Sequence, residues 1–106
     1  MNVAKVVASL VITPLGTATP SVSKYVAHAI DVLEQFGLAY QLTPMCTIIE
    51  GEEEDIFKAI LEIKRQMFEN GIKRVVYTLK VDERIDKTLT MDGKLQSVYR
   101  QRGDDK

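Results

Sequence analysis

Tryptophan is absent from these 106 residues, and histidine and cysteine occur once each, as His28 and Cys46. A lone cysteine cannot close an intrachain disulfide, so no covalent staple supports the fold and a reducing cytoplasm is the expected setting. With one imidazole and one thiol, a zinc site of the usual type would need carboxylates or other chains. The same scarcity leaves no Ser-His-acid or Cys-His pair to activate a nucleophile. Walker A and GxGxxG phosphate loops are also missing. No catalytic residue, metal or cofactor is therefore assigned.

Charge of one sign is lacking too. Fourteen basic residues stand against fifteen acidic ones, for a net charge of −1. No cationic excess is available to neutralise a phosphate backbone, which argues against nucleic-acid binding. Long apolar runs are missing as well. The uncharged stretch from Val6 to Ile12 is too short to span a membrane, and no Ala-x-Ala pattern follows it, so it reads as a buried strand rather than a signal peptide. What remains is 45% apolar and 27% charged, ordinary for a soluble globular chain. One domain over residues 1–106 is expected, burying roughly two-thirds of the surface exposed when unfolded.

Strands and helices alternate along the chain. Val3 to Thr13 is rich in Val and Ile and is stopped by Pro14 and Gly16, which predicts a first strand. Val22, Val26, Ala29, Ile30 and Leu33 recur at three- and four-residue steps, one face of a helix. Thr19 is placed to cap it, Pro20 to occupy its first position and Gly37 to form its left-handed exit. "LAYQLT" and "MCTIIE" are short strands flanking Pro44. "EEEDIFKAILEIKRQMFENG" is a second helix with an acidic first turn, ended by Asn70-Gly71. "IKRVVYTLKVD" is the fourth strand. Beyond Glu83 the tail is polar, and "GKLQSVYRQ" is a short terminal helix.

The order β-α-β-β-α-β predicts an α+β, ferredoxin-like antiparallel sheet with two helices on one face and a short C-terminal helix. Right-handed crossovers put strand three between strands one and two, with strand four beyond strand one. Ala4, Val6, Ala8, Leu10 and Ile12 line one face of strand one, suited to the helices. The other face mixes Val7, Val11 and Val76 with Ser9, Thr13 and Thr78, too apolar for a fully solvated surface. The second helix carries Ile56, Ile60, Ile63 and Met67 beside a further stripe of Phe57, Leu61 and Phe68. Both surfaces point to cover by another subunit, as a homodimer or homotetramer.

The frame Thr-Pro-(Leu/Met)-x-Thr occurs twice, at Thr13–Thr17 and Thr43–Thr47. In this topology both turns lie at the same edge of the sheet, as neighbours rather than halves of a repeat. "PLGT", "SVSKYVA", "TPMCTIIEG", "RVVYTLKVDERID" and "KLQSV" together resemble the small thiamine-binding proteins of the YkoF-like superfamily, across about Val7 to Val98. The resemblance implies the ferredoxin-like fold, dimers that join sheets, and commonly a tetramer of paired dimers. It further implies binding of thiamine or its hydroxymethylpyrimidine half rather than catalysis. Cys46 stands where that motif usually carries glycine.

The threonines at the sheet edge, Thr13, Thr17, Thr43 and Thr47, have hydroxyls suited to the nitrogens and amine of a small heterocycle. They equally suit helix caps and turn closure. Glu50 ends an apolar strand and could accept from an aminopyrimidine or balance a thiazolium charge. It could also be a solvated acid at the mouth of the second helix. In a regular strand Thr47 and Glu50 face opposite sides, so one ligand reaches both only across a bulge or with a second subunit. "KVDERIDK" gathers Lys80, Asp82, Arg84, Asp86 and Lys87, for ion pairs between subunits or for an anion. His28, opposite the apolar stripe, reads as solvated. The candidate ligand-binding residues are Thr17, Thr43, Thr47, Glu50 and Lys80.

A small-molecule binding protein thus stands first. A ferredoxin-like regulatory or assembly module, whose oligomer state responds to a ligand, stands second. An RNA-binding module would want exposed aromatics on the central strands, and strand four offers only Tyr77, on the helix side. An enzyme fits least, because no nucleophile with a base can be named.

Overall fold

Seven elements follow in the order β1 (Lys5–Leu15), α1 (Ser23–Gln35), β2 (Ala39–Leu42), β3 (Thr47–Glu52), α2 (Glu53–Glu69), β4 (Arg74–Asp82) and α3 (Met91–Arg102). The computed structural model describes residues 5–103; the expected strand residues Val3 and Ala4 lie outside them. The strands form one antiparallel sheet in the order β2-β3-β1-β4. That is the predicted ferredoxin-like α+β arrangement, with β2 and β4 at the edges.

Alternation along β1 sets the two faces. Val6, Ala8, Leu10 and Ile12 are buried together with Ala29, Val32 and Leu33 of α1 and with Ile56, Ala59, Ile60, Ile63 and Met67 of α2. Phe57, Leu61 and Phe68 stay exposed along α2, as the double stripe requires. β1 runs two residues past the expected stop, because beyond Leu10 it pairs with β4 alone, through Pro14↔Val75 and Leu15↔Arg74. A proline without a donor N–H is tolerated where a strand has a neighbour on one side only.

Three local expectations change. Helix α1 begins at Ser23 with Val22 at its cap and no side-chain capping bond. Thr19 is not that cap, because its hydroxyl accepts from Ser21 N at 3.2 Å within the preceding bend. Helix α3 starts at Met91, earlier than "GKLQSVYRQ" suggested, because Thr90 caps it by accepting from Gly93 N at 2.9 Å. On the face away from the helices, Val7 is covered by its own chain. Val7 and Leu89 are each 7% exposed and stand outside the main core cluster. Glu50 and Asp82, which flank Val7 across the sheet, bond Met91 N and Lys94 respectively. The Leu89–Lys94 segment therefore crosses over Val7. Val11 and Val76 remain about half exposed, at 45% and 49%.

Candidate functional site

The turn between β2 and β3 is closed by one side chain. Thr43 Oγ1 donates to Cys46 O at 2.8 Å and accepts from Cys46 N at 3.1 Å and Met45 N at 3.3 Å. Thr43 N also donates to Cys46 O. The local ring delays β3 until Thr47 and commits the Thr43 hydroxyl to backbone. No non-glycine residue among those described has positive φ. Cys46 is accordingly accommodated without the left-handed backbone that a glycine would permit.

Between this turn, the end of β1 and the first half of α1 lies a cavity of about 140 Å³. Leu10, Ile12, Val26 and Leu33 form its apolar floor, and Thr13 and Thr47 are among its polar lining. The Thr47 hydroxyl has no hydrogen bond among the described residues and remains available, unlike that of Thr43. Thr13, by contrast, alternates with the buried Ile12 along β1 and so belongs to the open face. A wider groove outside it, about 890 Å³, runs along Val22, Val26 and Ile30 of α1 to Leu42 and Pro44. The two Thr-Pro turns thus meet at one cavity through Thr13, Thr43 and Thr47. Thr17 does not line it; its hydroxyl donates to Thr19 O at 2.7 Å.

Glu50 and Lys80 sit elsewhere. β3 pairs with β1 residue for residue from Lys5↔Glu52 to Leu10↔Thr47, so no bulge intervenes. Thr47 shares the helix side with Leu10, and Glu50 shares the open side with Val7. Glu50 Oε1 accepts from Met91 N at 2.7 Å. Lys80 pairs across the sheet with Ser9 on the open face and is exposed. Within one chain the five candidates do not converge.

Within the chain, the "KVDERIDK" stretch ties Arg84 to Asp86 and Asp82 to Lys94. Arg84 grips Asp86 with two nitrogens, Nε donating to Oδ1 at 2.8 Å, and Lys94 pairs with Asp82. The Arg84 hydrogen bonds hold the Asp86 carboxyl below its ordinary range and push Arg84 up. His28 is exposed, as expected, and its Nε2 meets Gln66 Oε1, linking α1 to α2. Tyr77 lies on the helix side opposite Ile12, under the Lys64 ammonium at 4.8 Å from the ring centre.

The apolar lining from α1 and the α3 contacts were not among the candidates. Val22, Val26 and Ile30 did carry a signal, since they form a stripe beside the buried Ala29, Val32 and Leu33. The sequence "TMDG" from Thr90 to Gly93 carried the other, a threonine cap with an acid in the first turn. Among the described residues, no helix is long and apolar enough to cross a membrane.

A family model described as "Thiamine-binding protein" matches residues 8–99. The UPF0045 protein YqgV of Bacillus subtilis is 44% identical over 96 residues, covering 87% of this chain and 92% of its own. The UPF0045 protein MJ1052 of Methanocaldococcus jannaschii is 43% identical over 94 residues, covering 89% and 92%. Its crystal structure superposes with a TM-score of 0.81 over 89% of this chain and 95% of that one, at 42% identity. The Thermotoga maritima protein TM0486, proposed to serve in thiamine biosynthesis or salvage, superposes with a TM-score of 0.75 at 26% identity, covering 89% and 98%.

Proposed function

This chain belongs to the thiamine-binding protein family, and from that membership we propose that it binds thiamine or its hydroxymethylpyrimidine moiety without converting it. Residues 1–106 act as one ligand-binding domain in the cytoplasm. The observation that carries this reading is the cavity beside the Thr43–Thr47 turn, with an apolar floor and the unengaged Thr47 hydroxyl. At about 140 Å³ it is smaller than the roughly 300 Å³ at which small-molecule sites begin. It suits one ring. The pyrimidine enters there, and the remainder of a two-ring ligand lies in the groove along Val22 and Leu42. Thr43 shapes the rim and Thr17 steadies the neighbouring bend. Glu50 and Lys80, on the open face, meet a ligand only where a second copy brings that face to it.

Calorimetric titration with thiamine, its pyrimidine fragment and its phosphate esters tests the proposal. Saturable binding of thiamine or the fragment, with no turnover, is expected. Absence of heat for all of them overturns it.

A second reading, an assembly module whose oligomer state responds to a small ligand, is favoured by the exposed Val11, Val76, Phe57 and Leu61 and by β4, nine residues long at the sheet edge. Such an edge invites pairing with another copy. The two readings share one assembly, a dimer or tetramer at micromolar concentration in sedimentation. They separate on whether that assembly changes when ligand is added.

A further inference from the structure

The opposite end and face of the sheet hold a second cavity, of about 500 Å³, between the segment that follows β4 and the first turns of α3. Four cations line it, Arg84, Lys87, Lys94 and Arg100, against one acid, Asp82. In a chain whose net charge is −1, that is a local concentration of positive charge. Two of the cations are already committed, Lys94 to Asp82 and Arg84 to Asp86, and those pairs fix the walls. Lys87 and Arg100 form no salt bridge among the described residues, although the Lys87 charge acts on Asp86, which Arg84 already holds. The Arg100 guanidinium is instead drawn along the helix to Ser97, donating to its Oγ at 3.2 Å. Thr88 and Ser97 add hydroxyls, and Leu89 and Val98 add an apolar wall.

Each feature selects a class of ligand. Lys and Arg held in one cavity without a salt bridge repel each other, and a bound anion relieves that cost. A planar guanidinium beside hydroxyl donors matches phosphate oxygens, which accept several charge-assisted hydrogen bonds at once. The apolar wall has no use for inorganic phosphate but packs against an organic group. The volume falls within the range for small-molecule sites, about 300–1,000 Å³. The cations surround a pocket instead of forming a stripe along a strand or helix, which favours a compact ligand over a nucleic-acid backbone. We propose that this cavity is a second ligand site, separate from the one at the Thr43–Thr47 turn, and that it takes a small organic phosphate monoester with Lys87 and Arg100 as its principal anchors.

Phenyl phosphate is a suitable probe, with phenol as its uncharged control, each titrated into isotope-labelled full-length protein while backbone amide shifts are recorded. Phenyl phosphate should shift Thr88, Gly93 and Ser97 saturably, and phenol should not. The double variant Lys87→Gln, Arg100→Gln should weaken binding by about tenfold or more, since two charge-assisted contacts are lost. Both side chains are exposed, and an unchanged melting temperature confirms that the double variant folds. Should it melt early, Lys87→Gln alone must still weaken binding several-fold. The proposal fails if no saturable shift appears at millimolar probe, if phenol acts equally, or if the variants bind as well as the parent. It fails equally if the shifts centre on Thr43–Thr47, or if an RNA oligomer binds there while phenyl phosphate does not.

Discussion

The carboxylate of Glu50 and the backbone N–H of Met91 meet at 2.7 Å across 41 positions of sequence. The first N–H groups of a helix have no partner within it, and a carboxylate also suits the positive end of the helix dipole. Glu50 thereby fixes the start of α3 over Val7. The companion tie from Lys94 to Asp82 is exposed at both ends and is worth little on its own.

Glu50→Ala should therefore loosen α3 before it loosens the core. A hydrogen bond to a charged group contributes about 1.5–3 kcal/mol, so amide exchange at Met91 and Lys94 should accelerate by roughly tenfold or more. Ile60 and Ile63, fully inside the core, should keep their protection. Unchanged exchange at Met91 would mean that Leu89 alone seats the segment. Glu50→Gln, which retains an acceptor oxygen, should have the smaller effect.

Gly51 offers a test of packing. A Cβ added there would stand 2.6 Å from Leu38 Cδ2, and Leu38 is only 7% exposed. Gly51→Ala should cost about 1–3 kcal/mol in denaturant unfolding, as overpacking typically does. The cost should shrink in a Leu38→Ala background, because the clash is then removed, and the double-mutant cycle reads that coupling. Equal costs in both backgrounds would locate the strain elsewhere.

On α2, Arg65 and Gln66 together define a pH dependence. Glu62 accepts from Arg65 Nε at 2.8 Å and Nη2 at 2.5 Å, and from Gln66 Nε2 at 2.6 Å. These bonds, Arg65's foremost, lower its pKa from 4.5 to about 2. The folded value lies below the unfolded one, so the stabilisation is present above about 4.5 and is lost as pH falls through about 2. Glu62→Gln should lower the melting temperature at neutral pH and converge with the parent near pH 2. Salt should narrow the gap, since the pair is on the surface. A gap of constant size across that range would show that the charge contributes nothing.

The sheet order was legible because alternation in β1 and three-to-four-residue spacing in α2 leave few topologies for a chain of this length. The separation of Thr47 from Glu50 was legible for the same reason, since three positions along a regular strand reverse the face. Docking of the tail over Val7 was not. It depends on contacts between residues 41 positions apart, and no local pattern in "DKTLTMDG" encodes its partner. The threonines were equally opaque. Thr43 and Thr47 are alike in sequence context, and only the closed turn reveals which hydroxyl is already spent.

That difference between the two threonines yields the sharpest test of the ligand site. Thr43→Val removes one donated and two accepted hydrogen bonds from the turn, each worth on the order of 1 kcal/mol net. Stability should fall by about 1–2 kcal/mol, and the hairpin amides should exchange faster. Thr47→Val removes a hydroxyl with no partner among the described residues and keeps β-branching and approximate size, so unfolding should shift by less than about 0.5 kcal/mol. If the pyrimidine sits against Thr47, affinity for thiamine and for the fragment should both drop several-fold, as the loss of one ligand hydrogen bond predicts. Affinity must be measured on the folded fraction, so that the Thr43 variant is not scored as a binding defect through unfolding alone. Unchanged affinity in Thr47→Val, beside an intact melting curve, would remove the turn from the ligand site and leave its hydroxyl as ordinary surface chemistry.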